Sequence, residues 1–162
     1  MMATGKILIS LTPSESKRLI AKGVTNLEEV QRALKHGTII ITLGTTNAYV
    51  AEEILNALPG SERGIDRPRY ASGVITSDGT CVVPKAEREK EVLVKDGKIS
   101  DEGIEDVIEE LSPEDVFIKG ANALDATKTA GIFMAHPAGG TIGAALGIVM
   151  ARGCEFYHSC WH

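Results

Sequence analysis

The sequence of 162 residues predicts one α/β domain, 1–162, with a mostly parallel sheet and an antiparallel hairpin insertion around 70–99. Three observations carry this. Ile39, Ile40 and Ile41 form an uninterrupted β-branched run, which suits a strand covered on both faces in a parallel sheet. That run passes through Gly44-Thr45-Thr46-Asn47 into a helical pattern, and a second apolar run passes through Gly139-Gly140-Thr141 into another. Between these units the periodicity switches to short alternating segments around Asp78-Gly79 and Asp96-Gly97, the chemistry of tight hairpins.

The elements follow in order. Residues 7–11 are a short apolar run and a possible first strand. Thr12-Pro13-Ser14-Glu15 starts a helix, with proline in its first turn, that ends near Gly23. Thr25 or Asn26 caps a second helix, with Glu28 and Glu29 in its first turn. Leu27, Val30, Ala33 and Leu34 share its inner face, and Gly37 ends it. After the strand at 38–41, Val50, Ile54, Leu55 and Leu58 mark the inward face of a helix that Pro59-Gly60 stops. Residues 61–69 are a polar loop with three arginines. Residues 70–83 and 91–99 read as two hairpins. Ile104, Val107, Ile108 and Leu111 mark a further helix, 115–119 a strand, 131–135 the next strand and 142–151 a helix rich in small residues.

Bulk properties narrow the function classes. Net charge is −5, and no basic block stands out, so there is no nucleic-acid footprint. No stretch reaches the roughly 18 apolar residues that span a bilayer, and the first residues lack the apolar core of a secretion signal. Cys81, Cys154 and Cys160 are too few and too odd in number for a disulfide framework, which points to free thiols in the cytoplasm. Neither Gly-x-Gly-x-x-Gly nor a Gly-Lys-Thr phosphate loop occurs, and no cofactor is expected. His158, Cys160 and His162 fall on one face of a terminal strand. Same-face positions there lie roughly 6.5 Å apart, too wide for one ion, so no metal site is expected.

The candidate site comes from three turns. At Gly44-Thr45-Thr46-Asn47, the glycine permits a turn closed to other residues, and the next three side chains cap the helix or meet an anion. At Gly139-Gly140-Thr141, two glycines let backbone approach a ligand. Free N–H groups at both helix starts attract phosphate or carboxylate. Lys119-Gly120-Ala121-Asn122, with Asp125, follows a strand and belongs at the carboxyl edge of the sheet, where open α/β sheets bind ligands. His136 follows an apolar run and belongs at the mouth of the same crevice, where it is a candidate proton carrier with Asp125. The plain alternatives are an ordinary helix cap at Gly44-Thr45-Thr46-Asn47, tight packing at the Gly139 turn and local turn chemistry at Asn122 and Asp125.

Strand–Gly-Thr-Thr–helix, then Asp-Val-Phe-Ile-Lys-Gly-Ala-Asn-x-x-Asp at 115–125, then a later Gly-Gly-x-x-Gly resemble the superfamily of ribose phosphate isomerases, glucosamine phosphate deaminases, coenzyme A transferases and sugar-responsive transcription regulators. The resemblance covers roughly 38–152 apart from the 60–100 insertion, and implies a Rossmann-like three-layer fold with ligand at the strand ends. The isomerases carry Asp-Gly-Ala-Asp-Glu where this chain reads Lys119-Gly120-Ala121-Asn122-Ala123, so their carboxylate base has no counterpart. The superfamily members continue beyond the nine residues that follow Gly153, so the resemblance implies either a compact variant or a truncated or altered version of a longer fold.

The leading expectation is a protein that binds a small anionic metabolite, a sugar phosphate or nucleotide-like ligand, with isomerase or transferase chemistry if it is an enzyme. The alternatives are a non-catalytic metabolite sensor and a structural subunit of an oligomer. A compact sheet of this kind leaves apolar surface for homo-oligomer formation.

Overall fold

The computed structural model describes residues 5, 7–76 and 79–160. Its centre is a five-stranded sheet: β1 (Thr38–Ile41), β4 (Val92–Lys95), β5 (Lys98–Ser100), β6 (Val116–Gly120) and β9 (Glu155–Ser159), in the order β5-β4-β1-β6-β9. β1, β6 and β9 are mutually parallel, and β4 and β5 extend the sheet as an antiparallel hairpin beside β1. The fold is therefore α/β, and four of the five strands run the same way.

β1 is buried along its whole length, as its isoleucines predict. Alternation sends Ile39 and Ile41 to one face and Ile40 to the other. The first face packs against α1 (Pro13–Thr25), α2 (Glu28–Ala33) and α3 (Thr45–Ala57), through Ala21, Val30, Ala51 and Ile54. The second packs against α4 (Ile104–Val107), the 3-10 turn after it and α5 (Gly140–Arg152), through Val107, Ile108, Ala145 and Val149.

α1 begins in a capping box: Thr12 Oγ1 accepts from the Glu15 N–H, and the Glu15 carboxylate accepts from the Thr12 N–H. Both this helix and its Pro13 start match the sequence reading. The helix runs two residues past Gly23, and the second helix starts after Leu27 with no side-chain cap.

Four expectations change. Residues 7–11 form no strand; Leu8 is 99% exposed. The five strands of the main sheet do not include this segment. The second hairpin of the 70–99 region, β4–β5, is part of the main sheet. The separate ribbon is β2 (Gly73–Thr76) with β3 (Gly79–Val82); Ser77 and Asp78 of its turn lie outside the described residues. Tyr70 does not enter that ribbon but is fully buried, with its hydroxyl donating to Ile41 O at 2.6 Å and accepting the Val92 N–H at 3.0 Å. Finally, the expected strand at 131–135 is reduced to β8 (Ala130–Gly131), paired only with β7 (Ala123–Leu124). β9, the predicted terminal strand, pairs in parallel with β6.

Candidate functional site

β1 and β6 lie side by side and parallel, yet the helices that follow them go to opposite faces: α3 packs with Ile39 and Ile41, α5 with Ile40 and Phe117. Where neighbouring strands send their connections apart, a crevice opens beyond their carboxyl ends. A cleft of about 520 Å³ occupies this place, within the size range of small-molecule sites. Gly44, Thr45 and Thr46 line it from the start of α3, and Gly139, Gly140 and Thr141 from the start of α5. Gly120 and Asn122 line it from the end of β6, and His136 from the loop before α5. The structure thus gathers three turns that are distant in sequence.

The two helix starts differ in build. Gly44 has φ 166°, an extended backbone open to any residue, which corrects the expectation of a glycine-only turn. Its N–H donates to Tyr70 O at 2.8 Å, so the buried tyrosine anchors the turn. The Gly139-Gly140 turn does need glycine: φ is +75° and +57°. A Cβ on Gly143, one turn into α5, would lie 2.1 Å from Ala138 O, so the helix and this turn are in backbone contact. In both helices the first-turn N–H groups lack an intrahelical acceptor.

Asn47, although part of the first turn, faces inward. It is fully buried, and Nδ2 donates to Thr42 O at 2.8 Å and Ile118 O at 3.3 Å, while Oδ1 accepts from the Ser159 hydroxyl. It ties the ends of β1, β6 and β9 together beneath the cleft. Asp125 stands outside the cleft lining. Its carboxylate accepts the N–H groups of Thr127 and Thr129 and the Thr127 hydroxyl, closing the β7–β8 turn. The bond from the Thr127 side chain leads the contacts that hold its pKa below the usual carboxylate range. Asn122 Oδ1 accepts the Phe133 N–H at 2.9 Å, leaving its Nδ2 as the donor for the cleft. His136 Nδ1 accepts the Ala138 N–H at 3.1 Å, so the neutral ring carries its proton on Nε2.

Among the polar lining residues, Ser72 and Arg88 were absent from the sequence-based site, and Lys119 entered it only as part of the strand-end motif. Ser72 and Arg88 come from the chain flanking the β2–β3 ribbon, and no local pattern links that segment to the strand ends. Arg88 is positioned by Nε donation to Val83 O at 2.8 Å. Lys119 was visible within the strand-end motif, where a cation terminates an apolar strand. Burial lowers its pKa, and Nζ makes only a long 3.4 Å contact with Gly120 O. The described lining holds Arg88, Lys119 and His136 but no aspartate or glutamate. Among the described residues no cluster of three His, Cys, Asp or Glu side chains is placed to hold a metal.

A scan of protein-family models and searches of curated proteins and of solved structures found no significant match to this chain.

Proposed function

We propose that the protein binds a small anionic metabolite, of sugar phosphate or nucleotide-like size, across the starts of α3 and α5. One observation carries this reading: in a chain with 22 acidic and 17 basic side chains, the described cleft lining has Lys119, Arg88 and two helix starts, and among the described residues no carboxylate. Removing carboxylates from a crevice where two helix dipoles converge focuses positive potential there. Gly44, Thr45, Thr46, Gly139, Gly140 and Thr141 hold the anion in this reading, and Asn122 and His136 face the rest of the ligand. The apolar clusters on both sheet faces support a Rossmann-like three-layer description, and with the motif order they support kinship with the sugar phosphate isomerase and coenzyme A transferase superfamily.

If the protein is an enzyme of isomerase or transferase type, His136 is the proton carrier at the cleft. A non-catalytic sensor is favoured by a separate observation: the only acidic candidate, Asp125, is engaged in its own turn and outside the lining. A thermal-shift screen with sugar phosphates, nucleotides and coenzyme A tests the common premise. A ligand at 100 times its dissociation constant stabilises the native state by about 2.7 kcal/mol. No response to any anion overturns the reading; stabilisation without turnover selects the sensor.

A further inference from the structure

Lys119 is a half-buried amine with no carboxylate partner among the described residues. Alternation along β6 puts it on the sheet face of Phe117, under α5, while Ile118 faces the other core. It forms no ion pair with a described residue, and its Nζ has only the neighbouring Gly120 carbonyl at 3.4 Å. Phe133 and Met134 line the same cleft. Partial burial in the cleft wall without a counter-charge disfavours the ammonium, so the amine yields its proton more readily than a surface lysine. Desolvation of this kind activates lysine as a nucleophile toward carbonyl carbon. Anion recognition does not require this amine, because Arg88 and the two helix starts already supply positive potential.

We propose that Lys119 is the covalent attachment point for a phosphorylated aldehyde or ketone, forming an imine with its carbonyl carbon while the phosphate rests on the helix starts. The proposal rests on the anion-cleft reading above and narrows its ligand class. The Nζ lone pair adds to the carbonyl carbon, the C=O π pair moves to oxygen, and one proton passes from nitrogen to that oxygen. The resulting carbinolamine expels its hydroxyl as water, taking up one proton and releasing the remaining Nζ proton to solvent as the C=N bond forms. Nothing is oxidised or reduced.

The test uses the full chain with glyceraldehyde 3-phosphate and sodium borohydride, read by intact mass and peptide mapping. Borohydride supplies the hydride that fixes the imine as a secondary amine. The expected result is one adduct per chain, at Lys119, suppressed by inorganic phosphate. Unphosphorylated glyceraldehyde is expected to label this residue about tenfold or more slowly, the worth of one charge-assisted contact. The Lys119→Arg variant keeps the charge and is expected to lose the adduct. Labelling scattered over surface lysines and indifferent to phosphate overturns the proposal. A parallel thermal shift with glycerol 3-phosphate, which has no carbonyl, separates the two ideas. Stabilisation without an adduct at Lys119 removes the imine and leaves the anion cleft; neither stabilisation nor adduct removes both.

Discussion

Single side chains decide how the strand ends are held. Asn47 is the clearest case, because its amide donates to the carbonyl just past β1 and to one within β6, and accepts from Ser159 of β9. Asn47→Ala strips these bonds inside the core and is expected to cost about 2–3 kcal/mol, read as a lower denaturant midpoint with unchanged slope. An unchanged midpoint would show that water replaces the amide. Asp115 does a similar task at the opposite end of β1, where its buried carboxylate accepts the N–H groups of Thr38 at 2.6 Å and Ser112 at 2.7 Å. Both residues look like turn formers in sequence. Their importance comes from partners up to 112 positions away.

At the scale of elements, α5 carries a contrast that can be measured. Gly143 meets Ala138 O, and Gly139 and Gly140 require left-handed backbone, whereas Gly147 has open space around its Cα. Gly143→Ala is expected to destabilise by about 1–3 kcal/mol, because the helix must move off the turn it supports. Gly147→Ala is expected to stabilise by roughly 0.5–1 kcal/mol through helix propensity alone. Thermal melts of the two variants check both signs. Equal and small effects would mean that α5 does not sit against the Ala138 carbonyl. Gly44→Ala belongs with the tolerated group, since its φ suits any residue and a Cβ there meets only ordinary contacts.

For the whole molecule, alkaline stability follows from groups buried neutral in the native state. Burial, with Asp115 and Glu155 nearby, pushes the Cys154 thiol up to about 12. Burial also raises Tyr70 beyond the usual phenol range. The native state therefore keeps protons that the unfolded chain releases. Stability is fully present below the ordinary thiol pKa and is lost as pH rises through the native values. Denaturation midpoints are expected to fall steadily from the thiol range up to about pH 12. In Cys154→Ala the decline is expected to begin only at the phenol range, and an unaltered profile would show that Cys154 ionises freely. The molecule also leaves apolar side chains uncovered, among them Met150 at 64% and Met134 at 58% exposure, on and beside α5.

Much of this was legible in the sequence because it is local. The isoleucine run, the Thr12 box, the helices after Gly44 and Gly139, and the hairpins follow from periodicity and turn chemistry. The placing of the Gly44 and Gly120 turns at the ends of β1 and β6 follows as well, whereas the Gly139 turn reaches the cleft without the parallel strand the sequence predicts before it. Only the tertiary structure decided that β4 and β5 join the main sheet, that 7–11 has no partner, and that α3 and α5 leave on opposite faces. It also decided that Asn47 and Asp125 turn away from the cleft while Lys119 and Arg88 line it. The reason is physical: a residue's own neighbours set its backbone, but its burial and partners are set by chain segments that meet only when the core closes.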